Sequence, residues 1–169
     1  MTMVISATRN TVKGLIVSDN KILVNKNVNS VGSIYYGIDK DAIYFDLPGG
    51  GQNKYETLEN AVIRECFEET GYCVMPDKLL CVFEEIFTNT QYRNLHDKYS
   101  HRVYFIYKCH LFSSQQYVPT DRDSDIVSSN WINIDDIEKI PFFPHHLRRN
   151  LRDILKEDAF RYLGTFFQK

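Results

Sequence analysis

The chain has 169 residues, of which 43% are hydrophobic and 25% are charged, as is typical of one globular domain. A formal net charge of −2 gives no general attraction to nucleic acid or to an anionic membrane, and no apolar run reaches the roughly 20 residues of a membrane-spanning helix. The first residues lack the pattern of a secretory signal, and the four cysteines form no CxxC pair, so we expect core thiols in a reducing cytoplasm.

The first elements that the sequence predicts are strands. Residues 12–17 (VKGLIV) and 21–25 (KILVN) are rich in aliphatic and β-branched side chains, and the turn sequence SDN separates them. This arrangement predicts a β-hairpin. A third, shorter strand is predicted at residues 42–47, and Pro48 follows it. These segments are expected to form one part of a sheet.

A helix is predicted next, over residues 57–70. Thr57 has the hydroxyl group that caps a helix N-terminus, and Gly71 suits the left-handed conformation that ends a helix. Val62, Ile63 and Cys66 lie on one apolar side of such a helix, next to its glutamate carboxylates. We expect that apolar side to face the core.

The second half of the chain predicts more sheet and one more helix. Residues 78–88 and 101–112 are aromatic and β-branched and predict two core strands, while 128–140 predicts a short strand and then a turn or short helix. An amphipathic helix is predicted at about 145–160. Its apolar side carries Leu147, Leu151, Ile154 and Leu155. Strands interrupted by two helices favour an α/β sandwich, formed as a single domain over residues 1–169.

Three carboxylates on the first predicted helix repel one another. Glu65, Glu68 and Glu69 fall within an arc of roughly 100° on the helix surface. A solvated acidic face is one explanation. The other is a site for a hard divalent cation such as Mg²⁺, which prefers oxygen ligands and phosphate, and to which the preceding sequence LPGGG can offer a backbone carbonyl. On this second interpretation metal ions, rather than lysines, neutralise the glutamates and a phosphate substrate.

The spacing of these residues resembles the signature of the Nudix hydrolases. That signature is Gly, five residues, Glu, seven residues, then Arg-Glu-apolar-any-Glu-Glu-any-Gly-apolar, and every charged and glycine position is filled here. The matching residues are Gly50, Glu56, Arg64, Glu65, Glu68, Glu69 and Gly71. Cys66 and Tyr72 take the apolar positions, Tyr72 in place of a more usual aliphatic residue. We refer to residues 50–72 as the box.

The resemblance implies a Nudix-type α/β/α sandwich with a mixed β-sheet, and hydrolysis of a pyrophosphate bond in a nucleoside diphosphate linked to another group. It implies Mg²⁺ or Mn²⁺ as the cofactor, held by Glu65, Glu68, Glu69 and the backbone carbonyl of Gly50. Arg64 and Glu56 would brace the box through a charge-assisted hydrogen bond. We expect a small-molecule nucleotide as the partner, neither nucleic acid nor membrane, and a monomer or homodimer.

The resemblance leaves the general base open. One carboxylate must accept a proton from the attacking water. Glu65 is a candidate because of its place in the box, but in many relatives a carboxylate from a later loop has this role. The loop PTDRDSDIVSSNW offers Asp121, Asp123 and Asp125. We predict Asp125, which is closest to the following strand, and group it with Glu65 and Arg64 as the catalytic set.

Two other function classes are considered. A Nudix-fold sensor would bind a nucleotide without cleaving it, but no box carboxylate is lost here. A plain metal-binding or interaction module would not need Arg64 and Glu56 at this spacing.

The sequence leaves the substrate open. Ile86 stands where ADP-ribose hydrolases of the family often carry proline, and residues 87–89 lack the tyrosine of dinucleoside polyphosphate hydrolases. A nucleotide sugar, an ADP-ribose-like compound and a nucleoside triphosphate stay candidates. Residues that could stack on a base are Tyr35, Tyr36, Tyr44, Phe83, Phe87 and Tyr92.

Overall fold

The structure is a computed structural model that describes residues 7–169. Within that range the chain forms seven β-strands. They are β1 (Arg9–Ser18), β2 (Lys21–Val28), β3 (Ile43–Asp46), β4 (Tyr72–Phe87), β5 (His101–Gln116), β6 (Ile126–Asn133) and β7 (Arg161–Gln168). The predicted hairpin is confirmed as β1 and β2, which pair antiparallel at Val17–Ile22 and Ser18–Lys21.

The strands form a mixed sheet. β5 lies between β1, to which it is parallel, and β4, to which it is antiparallel; β7 is added parallel to the far edge of β4. β2 leaves the β1 edge after the hairpin and pairs antiparallel with both β3 and β6. The predicted fold class, an α/β fold with a mixed sheet, is therefore confirmed.

Four α-helices and one 3₁₀-helix lie in the described part of the chain. They are α1 (Leu58–Thr70), α2 (Thr90–Leu95), α3 (Asp97–Ser100), the 3₁₀-helix Ile134–Lys139 and α4 (His145–Glu157). The Thr57 side chain accepts a hydrogen bond from Asn60 N, and Gly71 has a φ of 75°, as the sequence predicts for the two ends of α1.

Two helices cover opposite faces of the sheet. Val62 and Cys66 of α1 pack against the side chains of Val12 and Ile16, whereas α4 packs against the face that carries Leu15. The α4 residues in that contact are Leu147, Leu151 and Ile154. Since each is almost fully buried, each stabilises the fold by about 1.5–3 kcal/mol relative to an exposed side chain.

Some expectations for the second half of the chain are wrong. The last helix ends at Glu157 rather than near residue 160, because Asp158 takes a left-handed conformation and the chain then enters β7. The sequence pattern of β7 is interrupted by Gly164, and its partner strand β4 is remote in sequence, so no local signal revealed it. Helices α2 and α3 were also missed. Three of the four cysteines are buried as predicted, but Cys73 is partly exposed. Ile63, expected on the core side of α1, is exposed, because the buried side of that helix runs through its neighbours Ala61 and Val62.

Candidate active site

The loop that opens the box lies against β1. Val12 N donates to Gly50 O at 2.8 Å, and Gly14 N donates to Pro48 O at 2.9 Å. A Cβ atom on Gly49 would lie 2.2 Å from Val12 O, and Gly49 has a φ of 136°, a conformation that strongly favours glycine. The loop can therefore follow β1 this closely only because glycine occupies position 49.

Gly50 forms a cradle for the carboxylate of Glu65. A Cβ atom on Gly50 would lie 2.3 Å from Glu65 Oε2 and 2.7 Å from Glu65 Cδ. The space that a side chain would fill is thus taken by carboxylate oxygen, beside the Gly50 backbone. This contact places the Glu65 carboxylate beside Gly50, the residue whose carbonyl oxygen is the other predicted ligand here.

Arg64 uses all its hydrogen-bonding capacity within the box. Its Nε and Nη2 donate to the two carboxylate oxygens of Glu56 at 2.8 and 2.9 Å. Nη1 donates to Glu65 at 2.8 Å and to Glu68 at 2.9 Å, and Nη2 also donates to Gly51 O at 2.9 Å. Because a guanidinium has five N–H donors, none is left for a substrate. Arg64 is positioned to brace the box, and it lowers the pKa of Glu56.

Glu69 is the most buried of the three glutamates predicted to bind metal, with 4% of its surface exposed. Its Oε2 accepts hydrogen bonds from Asn25 Nδ2 and from Gly49 N, each at 2.7 Å. Burial raises the pKa of Glu69 to about 8, although the nearby Lys13 opposes this shift. A carboxylate in this state gains from any added positive charge.

Lys13 supplies positive charge from β1. Its Nζ donates to Asp46 Oδ2 at 2.8 Å and to Gly49 O at 2.7 Å. Burial by itself would lower the pKa of Lys13, but attraction to Asp46, Glu69 and Glu65 raises it. Lys13 and Arg64 therefore place positive charge near the glutamates, and the expectation that metal ions rather than lysines neutralise these glutamates stays a prediction.

A cavity of about 320 Å³ opens beside these groups. Gly50 and Glu69 line it, and so do Asp123 and Asp125 from the loop between β5 and β6, whereas Asp121 does not. Asp125 Oδ2 accepts a hydrogen bond from Ser30 Oγ at 2.8 Å. The predicted proton acceptor and two of the predicted metal ligands, Gly50 and Glu69, therefore line the same cavity.

The loop that carries these aspartates is fixed to the end of α1. Thr120 N and Asp121 N both donate to Glu68 O, at 3.1 and 3.2 Å, and Arg122 Nε donates to Glu69 O at 2.8 Å. The carbonyl groups at a helix C-terminus have no partners within the helix, so they accept bonds from the loop. These contacts hold the loop next to the box despite the large separation in sequence.

The box spacing and this geometry agree with a comparison of sequences. The profile of the NUDIX domain matches residues 8–154 of the chain, which is most of its length. The chain belongs to the Nudix family. The predicted enzyme class, a Nudix pyrophosphohydrolase, is confirmed by this match together with the solved Nudix hydrolases that the fold resembles.

Solved structures of Nudix proteins share the fold. A NUDIX hydrolase from Nitrosomonas europaea is 19% identical, with a TM-score of 0.69 over 91% of this chain and 93% of that one. An ADP-ribose pyrophosphatase from Streptococcus suis is 16% identical, with a TM-score of 0.59 over 95% and 99%. A UDP-X diphosphatase is 19% identical, with a TM-score of 0.62 over 92% and 66%. No curated protein sequence matches the chain. In residues 7–169, no helix has the length and apolar character needed to cross a membrane.

The donors in the Nudix box suit a hard divalent cation. They are carboxylate and carbonyl oxygens, the ligands that Mg²⁺ and Mn²⁺ prefer, and the Gly50 cradle already holds carboxylate oxygen against the loop. The three glutamates do not point at one centre, however: Glu65 and Glu68 turn to Arg64, and Glu69 turns to Gly49. Among the described residues no group of three acidic, histidine or cysteine side chains is arranged to hold a metal. The residues fit the ion chemically, and binding requires the glutamate side chains to rotate.

The far side of the Nudix cavity is aromatic. Of the six rings considered for base stacking, four line the cavity, and Phe83 and Phe87 are fully buried in the core. The four are Tyr35, Tyr36, Tyr44 and Tyr92. Beneath them Arg102 Nη2 donates to Glu85 Oε2 at 2.6 Å, and Tyr36 Oη donates to Glu85 Oε1 at 2.5 Å.

Sequence reasoning missed several residues of the cavity. Arg9, Thr11 and Lys13 occupy alternate positions of β1 and all line it, as does Arg102 on the neighbouring strand. Their spacing of two was the available signal, because side chains two apart on a strand point to the same face. Polar residues on one face of an otherwise apolar strand can mark a site.

Proposed function

We propose that this Nudix protein hydrolyses the pyrophosphate bond of a nucleoside diphosphate linked to another group, with Mg²⁺ or Mn²⁺ held by Glu65, Glu68, Glu69 and the Gly50 carbonyl. One observation carries this proposal: the complete box lies next to the cavity, and Gly50 and Glu69 of the box form part of the cavity wall. The substrate classes proposed are a nucleotide sugar, an ADP-ribose-like compound and a nucleoside triphosphate.

Each group of the chain has a defined task in this proposal. A divalent cation held by Glu65, Glu68, Glu69 and the Gly50 carbonyl would supply positive charge that stabilises the phosphate oxygens and makes water easier to deprotonate. Asp125 accepts the proton of the attacking water, since its carboxylate faces the cavity. Arg64 and Glu56 act as positioning residues that hold the loop and helix of the box together. The cavity tyrosines pack on the nucleoside part of the substrate.

The names of two structural neighbours support the choice of substrates. An ADP-ribose pyrophosphatase and a UDP-X diphosphatase both act on nucleoside diphosphates with a further group attached, as their names say, and both share this fold. We carry that substrate class to this chain as a proposal. We also propose a cytoplasmic enzyme, because all four cysteines are unpaired, and a monomer or homodimer.

A substrate panel tests the proposal. ADP-ribose, UDP-glucose, a dinucleoside polyphosphate and nucleoside triphosphates are incubated with the purified protein and Mg²⁺ or Mn²⁺, and the products are identified by chromatography. We expect cleavage of a pyrophosphate bond in at least one class, no turnover in excess EDTA, and recovery when the metal is restored. Full turnover in excess EDTA would contradict the metal requirement.

Two variants of helix α1 test whether its glutamates take part in catalysis or only form a solvated acidic face. Glu68→Gln is expected to lower kcat by orders of magnitude while the protein stays folded. Glu59→Gln is the matched control, because Glu59 is an exposed glutamate of α1 outside the fixed positions of the box. Equal rates for the two variants would contradict the proposed role of Glu68. Tight nucleotide binding without cleavage of any substrate would favour a sensor.

A further inference from the structure

Three cationic side chains line the cavity, and two of them are neutralised. Lys13 forms an ion pair with Asp46 at 2.8 Å, and Arg102 forms one with Glu85 at 2.6 Å. Arg9 has no carboxylate within 4.0 Å in the part of the chain that the structure describes, and its side chain donates no hydrogen bond there. The cavity thus contains one guanidinium with a free charge and free N–H groups.

The register of the sheet explains why Arg9 is the unpaired one. Arg9 of β1 is level with Arg102 of β5, and Arg102 is level with Glu85 of β4. This row across three strands holds two guanidinium groups and one carboxylate. Glu85 is fully buried and accepts hydrogen bonds from Tyr36 and Tyr104 as well as from Arg102. Its carboxylate therefore pairs with Arg102 and not with Arg9.

The Arg9 guanidinium is held in place by two contacts. A Cβ atom on Gly51 would lie 2.3 Å from Arg9 Nη2 and 2.5 Å from Arg9 Cζ, so the guanidinium lies directly against the backbone of the box loop. The Tyr99 ring is a second neighbour, with its centroid 5.1 Å from Arg9 Cζ. Gly51 is not a fixed position of the Nudix signature, and its lack of a side chain is explained by this contact.

We propose that Arg9 binds a phosphoryl oxygen of the substrate's diphosphate. The planar guanidinium presents paired N–H groups that match phosphate oxygens. The guanidinium lies against Gly51, the residue next to Gly50. Because the Gly50 carbonyl is a proposed metal ligand and the metal must contact the phosphates, Arg9 lies beside the place where the phosphates bind. The inference rests on the proposed function and adds to it a substrate contact outside the box.

Arg102 is a weaker candidate for the same role. Its charge is already balanced by Glu85, and Phe87 and Tyr104 cover its guanidinium at 5.5 and 5.2 Å. A buried pair of this kind has no net charge to offer a phosphate. Base recognition by Arg9 is also disfavoured, because Tyr99 already packs against the guanidinium on which a base would stack.

Kinetics and binding test the assignment. With Arg9→Ala we expect KM to rise about 10- to 100-fold, as for the loss of a hydrogen bond to a charged group, with a smaller change in kcat. The dissociation constants of α,β-methylene-ADP and α,β-methylene-UDP, measured by calorimetry with Mg²⁺, should rise by the same factor, because Arg9 contacts phosphate and not base. Arg9→Lys keeps the charge without the planar fork and should show an intermediate loss.

Gly51→Ala is an independent way to remove the contact. The three atoms nearest to the added methyl group all belong to the end of the flexible Arg9 side chain, so the methyl group should displace the guanidinium without unfolding the protein. We expect it to reproduce the Arg9→Ala loss, and the double variant to be no worse than either single one. Millimolar guanidinium chloride should partly restore Arg9→Ala and leave the wild type unchanged. Arg152→Ala, on the exposed side of α4, is the control.

The outcomes separate this inference from the proposed function. If the wild type cleaves substrate, and Arg9→Ala has the same KM and binds the analogues equally well, the Arg9 assignment alone is overturned. A loss that differs more than about tenfold between the adenosine and uridine analogues would show base recognition and would also overturn it. No cleavage of any diphosphate by the wild type would overturn the proposed function instead, while the analogue titrations would still decide whether Arg9 binds phosphate.

Discussion

Two carboxylates of this site have surroundings that suit different roles. Glu65 lies in the Gly50 cradle and accepts a hydrogen bond from Arg64 at 2.8 Å, and burial raises its pKa despite that contact. Asp125 is partly exposed, lines the cavity and accepts hydrogen bonds from two neutral hydroxyl groups, those of Ser30 and Ser124. A carboxylate that must exchange protons with water needs the second kind of position.

We predict that Asp125→Asn lowers kcat more than Asp121→Asn or Asp123→Asn does. The amide keeps the shape of the side chain and can still bond to Ser30, but it cannot accept a proton. Steady-state rates with saturating metal and substrate measure the effect. Asp121 is the sharper control, because it belongs to the same loop and does not line the cavity.

A silent Asp125→Asn variant would move the role of base into the box. If Glu65→Gln then abolishes turnover, a metal titration must accompany it, because Glu65 is also a proposed ligand. A loss that excess metal does not restore would assign the proton transfer to Glu65. Equal effects of all three aspartate variants would contradict the special position of Asp125.

At the scale of elements, a histidine of the last helix packs against the last strand. The His146 ring of α4 stacks on Phe166 of β7 with centroids 3.7 Å apart, and its edge meets Phe83 at 4.4 Å. Burial lowers the pKa of His146 to about 3, with further contributions from the charges of His145 and Arg102. The ring is therefore neutral in the folded protein at neutral pH.

We predict that His146 makes the α4–β7 contact sensitive to acid. An unfolded histidine binds a proton near pH 6.5 whereas folded His146 does not, so the unfolded state gains protons as the pH falls. The stability that this group contributes is present above about pH 6.5 and is lost as the pH falls towards 3. His146→Phe keeps an aromatic ring and removes this term.

The melting temperature is the measurement for this prediction. Between pH 7.5 and pH 5 it should fall less in His146→Phe than in the wild type. The control is His110→Gln, because His110 is an exposed histidine of β5. An equal fall in the wild type and His146→Phe would contradict the prediction.

At the scale of the whole molecule, the acidic centre is assembled from segments that are far apart in sequence. Glu69 of α1 meets Asn25 of β2 and the Gly49 loop, and the charge of Lys13 from β1 lies nearby. In the folded state the pKa of Glu69 is raised to about 8 by burial. The stability from this group is complete below about pH 4.5, its ordinary range, and is lost as the pH rises through 8.

We predict that the metal-free protein loses stability between pH 5.5 and pH 8.5 partly because Glu69 must ionise. In EDTA, Glu69→Gln should gain melting temperature relative to the wild type as the pH rises over this range. Mg²⁺ at about 100 times its dissociation constant should stabilise the wild type by about 2.7 kcal/mol and the variant much less. Glu59→Gln is the control, and a pH-independent difference between Glu69→Gln and the wild type would contradict the assignment.

The sequence by itself determined the features that depend on neighbours along the chain. The hairpin, helix α1 with its caps at Thr57 and Gly71, and the box spacing were all predicted, because turns, helical periodicity and caps act over a few residues. The box was enough to indicate the family, and the profile match over residues 8–154 confirms it. The roles of the box residues and of Asp125 stay predictions.

Only the tertiary structure decided which distant groups meet. Strand β7 is paired with β4, Arg9 is level with Arg102, and Lys13 lies between Asp46 and Gly49, each across a large separation in the chain. No local pattern contains these contacts, because they depend on strand order and register, which are set by how the whole sheet buries its two faces. The positive charge that Lys13 places near Glu69 was not predicted for the same reason: the sequence does not state where this lysine lies in space.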